Sequence, residues 1–190
     1  MTKAALRTVY KEKRLALPEK DRLRLDDLLL IKFQQLPLSY DVQVLLSYWP
    51  LSKEAEIDTF LLTDYLQFRL PHLQVAYPVT NIDELSFQAV IVNDDTEFAL
   101  NKYGIAEPVE GMAITPAEID MVFVPLLAFD TKGYRVGYGK GFYDRYLKDC
   151  RNDCEKIGFS YFAPVEGISD INQFDVPLTT GVTPEHLYEF

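Results

Sequence analysis

The chain has 190 residues, 48% hydrophobic, 13% aromatic and 25% charged, a composition that fits one globular domain with a sizeable core and excludes disordered and fibrous classes. Its formal net charge of -10 sets the surface against nucleic acid and anionic membrane, so any phosphate ligand must be held by a local basic cluster. No run approaches the roughly 18 apolar residues of a membrane span, no apolar leader follows Met1-Thr2-Lys3, and the only cysteines, Cys150 and Cys154, suggest a reducing, cytoplasmic setting.

Residues 2–16 read as a helix that Thr2 can cap, with Leu6, Val9 and Tyr10 as a narrow apolar stripe. Its other faces are basic: Lys3, Arg7, Lys11, Lys13 and Arg14. Lys3, Arg7 and Arg14 are spaced four and seven apart, which places them on one side. A charged helix face of this kind is ordinarily solvated. Pro18 breaks the chain, and a second helix runs from Glu19 to Leu36 with a broad apolar side. Val42–Tyr48 is a strand apolar enough to be buried on both faces. Beyond Trp49-Pro50 comes Glu56-Ile57-Asp58-Thr59, then a helix to about Leu70 for which Asp58 or Thr59 serves as cap. Glu56 lies past the carboxyl end of a strand, where open α/β sheets bind ligands. It reads equally well as a first-turn acid favoured by the helix dipole.

Gln74–Tyr77 is a short strand ended by Pro78, Ser86–Val92 is another, and Phe98–Leu100 is a candidate near an edge. His72, after Pro71 at a helix end, reads as structural. Residues 101–118 are irregular. Met121–Pro125 is a strand that enters a glycine-rich stretch, Phe142–Cys150 is the helix that leaves it, with Cys150 and Cys154 on one side, and Lys156–Tyr161 is a further strand. From Ala163 onward the chain is turn-rich. Strands alternate with helices without repeat or linker, which predicts a single domain over residues 1–190, a layered αβα sheet with parallel pairings.

Between the strand that ends at Pro125 and the helix that starts at Phe142 lies the densest chemistry. Gly137, Gly139 and Gly141 fall within five residues, interleaved with Tyr138 and Lys140, preceded by Arg135 and followed by Phe142-Tyr143-Asp144. Glycines let the backbone approach an anion closely and turn N–H groups inward. Lys140 and Arg135 supply charge where a transferring phosphoryl group becomes more negative, and Asp144 has the carboxylate that phosphate-bound Mg²⁺ requires. Tyr138, Phe142 and Tyr143 offer flat faces for a base or a pterin-like ring. The same residues also fit a plain structural turn. The chain has no GxxxxGK(S/T) phosphate loop and no GxSxG elbow, and with only His72 and His186 it has little material for histidine chemistry.

The run from Pro125 to Arg145 closely resembles the signature of the 5-formyltetrahydrofolate cyclo-ligase (methenyltetrahydrofolate synthetase) family: Pro125, Leu127-Ala128-Phe129-Asp130, Gly133, Arg135, Gly137, and Gly139-Lys140-Gly141-Phe142-Tyr143-Asp144-Arg145. Three more segments resemble it in the right order: Lys3 to Arg7, Glu56-Ile57-Asp58-Thr59, and Gly104-Ile105-Ala106-Glu107-Pro108.

This resemblance implies an αβα three-layer sandwich of the sugar-phosphate-isomerase/CoA-transferase-like kind, a monomer, and a reaction of ATP with 5-formyltetrahydrofolate in the presence of Mg²⁺. The formyl oxygen attacks the γ-phosphate and N10 closes the ring. By the same resemblance, Lys3, Arg7 and Arg135 to Tyr143 (Arg135, Gly137, Tyr138, Gly139, Lys140, Gly141, Phe142, Tyr143) contact ATP. Arg7, Arg135 and Lys140 act on the reacting groups, and Asp144 serves Mg²⁺. Glu56, Leu46, Tyr138 and Phe142 border the folate. The family's metal-linked Asp near the C-terminus finds no counterpart within Pro177–Pro184. Two alternatives remain open at this point: a non-catalytic folate-binding module, and a related ATP-dependent enzyme acting on another substrate.

Overall fold

The computed structural model describes all residues, Met1–Phe190. The chain opens with helix α1 (Lys3–Leu15), capped by the Thr2 hydroxyl accepting from the Ala5 N–H, and helix α2 (Glu19–Phe33). Strand β1 (Val44–Leu46) follows, then α3 (Thr59–Arg69), whose Asp58 cap accepts from the Phe60 and Leu61 N–H groups. Next come β2 (Gln74–Asn81), β3 (Ser86–Val92), β4 (Phe98–Leu100), β5 (Ala106–Pro108), β6 (Met112–Ile114) and β7 (Met121–Phe123). A small hairpin, β8 (Ala128–Phe129) with β9 (Arg135–Val136), leads through the glycine-rich loop into α4 (Phe142–Lys148). Strands β10 (Glu155–Phe159), β11 (Thr180–Val182) and β12 (Leu187–Glu189) complete the chain.

Eight strands form one mixed sheet in the order β12-β11-β10-β7-β1-β2-β3-β6. The five in the middle, β11, β10, β7, β1 and β2, run parallel, and β12, β3 and β6 add antiparallel edges. Successive side chains point to opposite faces of a strand, so each parallel strand feeds two cores. Leu45, Met121, Phe123, Ile157 and Phe159 meet Leu29 and Phe33 of α2 and Leu62 and Leu66 of α3 on one face. Val44, Leu46, Val122 and Val124 meet Tyr146 and Leu147 of α4 on the other.

The connections decide where a ligand can sit. From β1 the chain crosses by α3 to β2 on one side, and from β7 it crosses by α4 to β10 on the other. Strand order therefore reverses between β1 and β7, and the carboxyl ends of those two strands border a crevice, the favoured ligand position of open α/β sheets.

Helix α1 belongs to neither core. Leu6 and Tyr10 pack on Leu127, Ala128 and Val136 of the hairpin. Leu6 is only 1% exposed, a burial worth ~2 kcal/mol. That seam fixes the basic side of α1 over the glycine-rich loop.

Several elements differ from expectation. Strand β2 continues through Pro78 to Asn81. Its pairing to β1 ends at Ala76, and Pro78 pairs only with Ala89 of β3, so the missing N–H has no β1 partner to lose. The segment 101–118 contains β5 and β6, and the turn-rich tail contains β11 and β12. Helix α4 stops at Lys148, so Cys150 and Cys154 lie in the turn that follows it, both buried and unpaired. His72 is structural, its Nε2 bonded to the Val42 carbonyl at 3.1 Å.

Candidate functional site

A cleft of about 530 Å³ opens at the carboxyl ends of β1 and β7, between Tyr48-Trp49 and Pro125 on one side and the glycine-rich loop on the other. Every residue expected to bind or react lines it except Leu46. Leu46 is fully buried in the core beneath α4, because β1 is covered on both faces and alternation only decides which core a residue enters. Two residues on, Tyr48 and Trp49 have left the ladder and face the cleft instead.

The floor is built by backbone. Gly139 has φ +88° and Gly141 φ +73°, left-handed conformations that favour glycine. Gly139 is constrained a second way, since a Cβ there would sit 3.0 Å from the guanidinium carbon of Arg7. Arg7 lies across this turn and donates from Nε to the Gly137 carbonyl at 2.9 Å. One turn earlier on α1, Lys3 pairs with Asp175 at 2.5 Å. The cations of the first helix thus meet the loop in space, as their spacing on one side permits.

The remaining cations differ in kind. Arg135 is buried, donates from Nη2 to Asp144 Oδ1 at 2.9 Å and from Nη1 to the Val176 carbonyl at 2.5 Å. Burial pulls its pKa down and the Asp144 charge pushes it back up, and a guanidinium stays protonated throughout. Lys140 is exposed at the rim and takes part in none of the chain's ion pairs. Its ammonium is free for a ligand.

Opposite the loop stands Glu56. Its Oε2 accepts from the Leu51 N–H at 2.8 Å and its Oε1 from the Tyr138 hydroxyl. Burial raises the Glu56 pKa, while those two hydrogen bonds and the Arg14 charge pull it down. The Tyr143 hydroxyl is buried at the cleft wall without a partner, and burial holds its pKa well above the usual phenol value. A buried donor without a partner is costly, which makes this hydroxyl a contact waiting for a ligand. The family-like segment around Glu107 has a different task. Glu107 Oε1 accepts from the Thr80 N–H and the Asn101 amide, bracing β5 against β2, while neighbouring Tyr103 and Ile105 reach the cleft.

Two contributors are not assigned to the site by the sequence. Asp175 lies two residues before Pro177–Pro184, and the bend before β11 carries it to the cleft beside Lys3. Arg14 continues the Lys3 and Arg7 side of α1 but points inward, where it donates to the Tyr138 hydroxyl. The seven-residue spacing from Arg7 was the available signal for it.

As a chemical device, the cleft offers a glycine-lined floor, one free cation (Lys140) and four anchored ones (Lys3, Arg7, Lys53 and Arg135), a carboxylate on the opposite wall, and aromatic faces between them. That suits a polyanion and a flat heterocycle held side by side. Comparison with known proteins agrees over the whole length. The sequence model of the "5-formyltetrahydrofolate cyclo-ligase family" matches residues 1–180. The chain is 34% identical over 132 residues to the 5-formyltetrahydrofolate cyclo-ligase of Haemophilus influenzae, covering 67% of this chain and 69% of that one. It is 28% identical over 160 residues to the Escherichia coli K12 enzyme of the same name, covering 80% and 82%. The NMR structure of Aquifex aeolicus 5,10-methenyltetrahydrofolate synthetase superposes with a TM-score of 0.81 at 30% identity, covering 100% of this chain and 93% of that one. The chain belongs to the 5-formyltetrahydrofolate cyclo-ligase family and is an enzyme of that kind.

Proposed function

We propose that this cleft holds ATP along the glycine-rich loop and 5-formyltetrahydrofolate against Glu56, so that the formyl oxygen meets the γ-phosphate above Gly139. The family's reaction, ATP-dependent conversion of 5-formyltetrahydrofolate to 5,10-methenyltetrahydrofolate, needs no protein nucleophile. The formyl oxygen attacks the γ-phosphorus and ADP leaves, giving an N5-iminium phosphate. N10 then attacks the iminium carbon, loses its proton, and phosphate departs with the former formyl oxygen. The protein's work is positioning and charge stabilisation.

The geometry supports the following residue roles. Lys140 supplies the mobile charge that meets the transferring phosphoryl group. Arg7 sits over the same turn, close enough to contact both a phosphate and the formyl oxygen. Arg135 fixes Asp144 and Val176 and lends its field from below. Lys3 reaches the phosphates by exchanging its Asp175 partner. Glu56 accepts from the amino and ring N–H groups of the pterin, a charge-assisted pairing. Tyr138 and Phe142 border the ring, and Tyr143 gives its unused proton to the ligand.

Mg²⁺ fits the donors present. Asp144 takes both its protein hydrogen bonds on Oδ1, from Arg135 and the Val176 N–H, which leaves Oδ2 for a cation, with Asp175 nearby in the same cleft. No cluster of three or more His, Cys, Asp or Glu exists, matching a metal that takes its other ligands from phosphate and water. When bound, Mg²⁺ neutralises charge on the β- and γ-phosphates. The helices on both faces of the sheet support the three-layer sandwich of the sugar-phosphate-isomerase/CoA-transferase-like kind.

The observation that carries this reading is the placement of Glu56 and the Gly137–Gly141 loop on facing walls of one cleft. The test is product absorbance with 5-formyltetrahydrofolate and ATP, against a control without ATP, for the chain and for Glu56→Gln. The expected outcome is ATP-dependent product and a KM for the folate raised roughly tenfold in the variant, one charge-assisted contact's worth. An unchanged folate KM in Glu56→Gln overturns the folate placement.

A further inference from the structure

Arg14 is buried, 4% exposed, yet it forms no ion pair. A buried guanidinium without a carboxylate partner is expensive. Glu54 cannot supply the counter-charge, because Lys11 holds its Oε2 at 2.7 Å. Arg14 instead donates from Nε to the Glu54 carbonyl at 2.9 Å, from Nη1 to the Leu126 carbonyl at 3.1 Å, and from Nη2 to the Tyr138 hydroxyl. The first two bonds tie the guanidinium to the turn before Glu56 and to the segment after β7, so its plane is fixed. The third gives the Tyr138 hydroxyl a direction. Arginine only donates, and a hydroxyl has a single proton. With one lone pair of Tyr138 taken by Arg14, that proton goes to Glu56 Oε1.

We propose that Arg14 is a positioning residue for the folate: through the Tyr138 hydroxyl it holds the Glu56 carboxylate ionised and turned toward the pterin. The buried cation and the half-buried carboxylate balance each other across one shared hydroxyl. Each carboxylate oxygen keeps a lone pair for the ligand, since Oε1 accepts only from Tyr138 and Oε2 only from the Leu51 N–H. The groups that bear on Glu56 come from every surrounding element. Arg14 of α1 favours its charge, and Glu54 of the preceding turn opposes it. Tyr138 of the loop donates to it, and Tyr48 after β1 and Tyr143 of α4 face it as neutral phenols. Arg14 is the cation bonded into this network. Removing it makes the carboxylate harder to ionise, so the ionised acceptor is lost at a higher pH. This inference rests on the reading of Glu56 as the pterin acceptor.

The test is steady-state kinetics of Arg14→Met, Arg14→Lys and Tyr138→Phe between pH 6 and 9, with separate KM values for 5-formyltetrahydrofolate and ATP and a melting curve for each. Arg14→Met is expected to raise the folate KM about tenfold at pH 7 and to leave the ATP KM within about twofold. It is also expected to move the acid limb of kcat/KM for the folate upward by about one pH unit, the usual size of a nearby opposite charge. Arg14→Lys restores part of that shift. Tyr138→Phe produces a similar shift, and the double variant adds nothing to either. An acid limb that stays in place, or equal rises in both KM values, overturns the proposal. If Arg14→Met does not fold, Tyr138→Phe decides by the same criterion. Glu56→Gln separates the two readings: an unchanged folate KM there means the folate placement itself has failed, whereas a raised one beside an unmoved acid limb in the other variants means only the role of Arg14 has.

Discussion

Lys140→Ala isolates the transition-state role of the loop from its role in folding. The side chain is exposed and forms no ion pair, so its removal leaves stability within about 0.5 kcal/mol, as for other unengaged surface positions. Its proposed contact is made most strongly when the γ-phosphoryl group is in transit. Losing one such donor costs about 2.7–4 kcal/mol, or roughly 10²- to 10³-fold in kcat. Arg135→Met is the contrasting perturbation. It strands Asp144, whose side chain is 31% exposed, so the penalty falls below the ~3–5 kcal/mol of a fully buried broken pair, at about 2–3 kcal/mol. For a chain of this size that lowers Tm by about 5–10 °C. The assay is growth of methenyl-product absorbance with 5-formyltetrahydrofolate, ATP and Mg²⁺, paired with a melting curve. Lys140→Ala should be slow and fully stable, and Arg135→Met both slow and destabilised. A kcat loss below about threefold for Lys140→Ala, or a fall in Tm matching that of Arg135→Met, refutes the division of labour.

Other outcomes follow from the same geometry. Gly139→Ala forces a left-handed backbone on an L-residue, costing about 1–2 kcal/mol, and pushes a Cβ to 3.0 Å from the Arg7 guanidinium carbon. It should raise the ATP KM by about tenfold, and in an Arg7→Ala background the added effect should shrink, since the clash has gone. Asp26 is buried against the Tyr161 hydroxyl at 2.8 Å, and burial lifts its pKa to about 6. A raised folded-state pKa means its contribution is fully present below the unfolded value of 3.8 and is lost as pH rises through about 6. Asp26→Asn keeps an acceptor for Tyr161 without the charge, so urea unfolding should find it more stable than the parent by about 2–3 kcal/mol at pH 8, with the difference gone near pH 4. Chelation of Mg²⁺ should abolish turnover, and Asp144→Asn should raise the Mg²⁺ concentration needed for half-maximal rate.

What the sequence disclosed was local. Ser86–Val92 and the caps Thr2 and Asp58 were legible because apolar runs and capping side chains act within a few residues. The loop from Arg135 to Asp144 was legible for the same reason, its glycines and charges being contiguous. What needed the fold was distant pairing. β11 lies in the stretch after Ala163 that reads as turn-rich, but a Cβ at its Gly181 would meet the Phe129 ring at 2.7 Å, so that glycine marks a close approach inside the sheet rather than a bend. Pro78 suggested a strand end, and only the staggered length of β1 makes it harmless. Leu46 is expected at the folate, but it sits inside a strand covered on both faces, and only the residues past its end, Tyr48 and Trp49, reach the cleft. Asp175 and Arg14 meet partners 172 and 124 residues away, Lys3 and Tyr138, and helical spacing could place Arg14 beside Arg7 without showing what it bonds.

The central claim is that the formyl oxygen itself is phosphorylated while Glu56 and the loop hold the two substrates face to face. Turnover of 5-formyltetrahydrofolate labelled with ¹⁸O in the formyl group tests it directly. The account predicts one labelled oxygen in each inorganic phosphate released, and none in ADP or solvent. Label appearing in water, or phosphate released without it, contradicts the account.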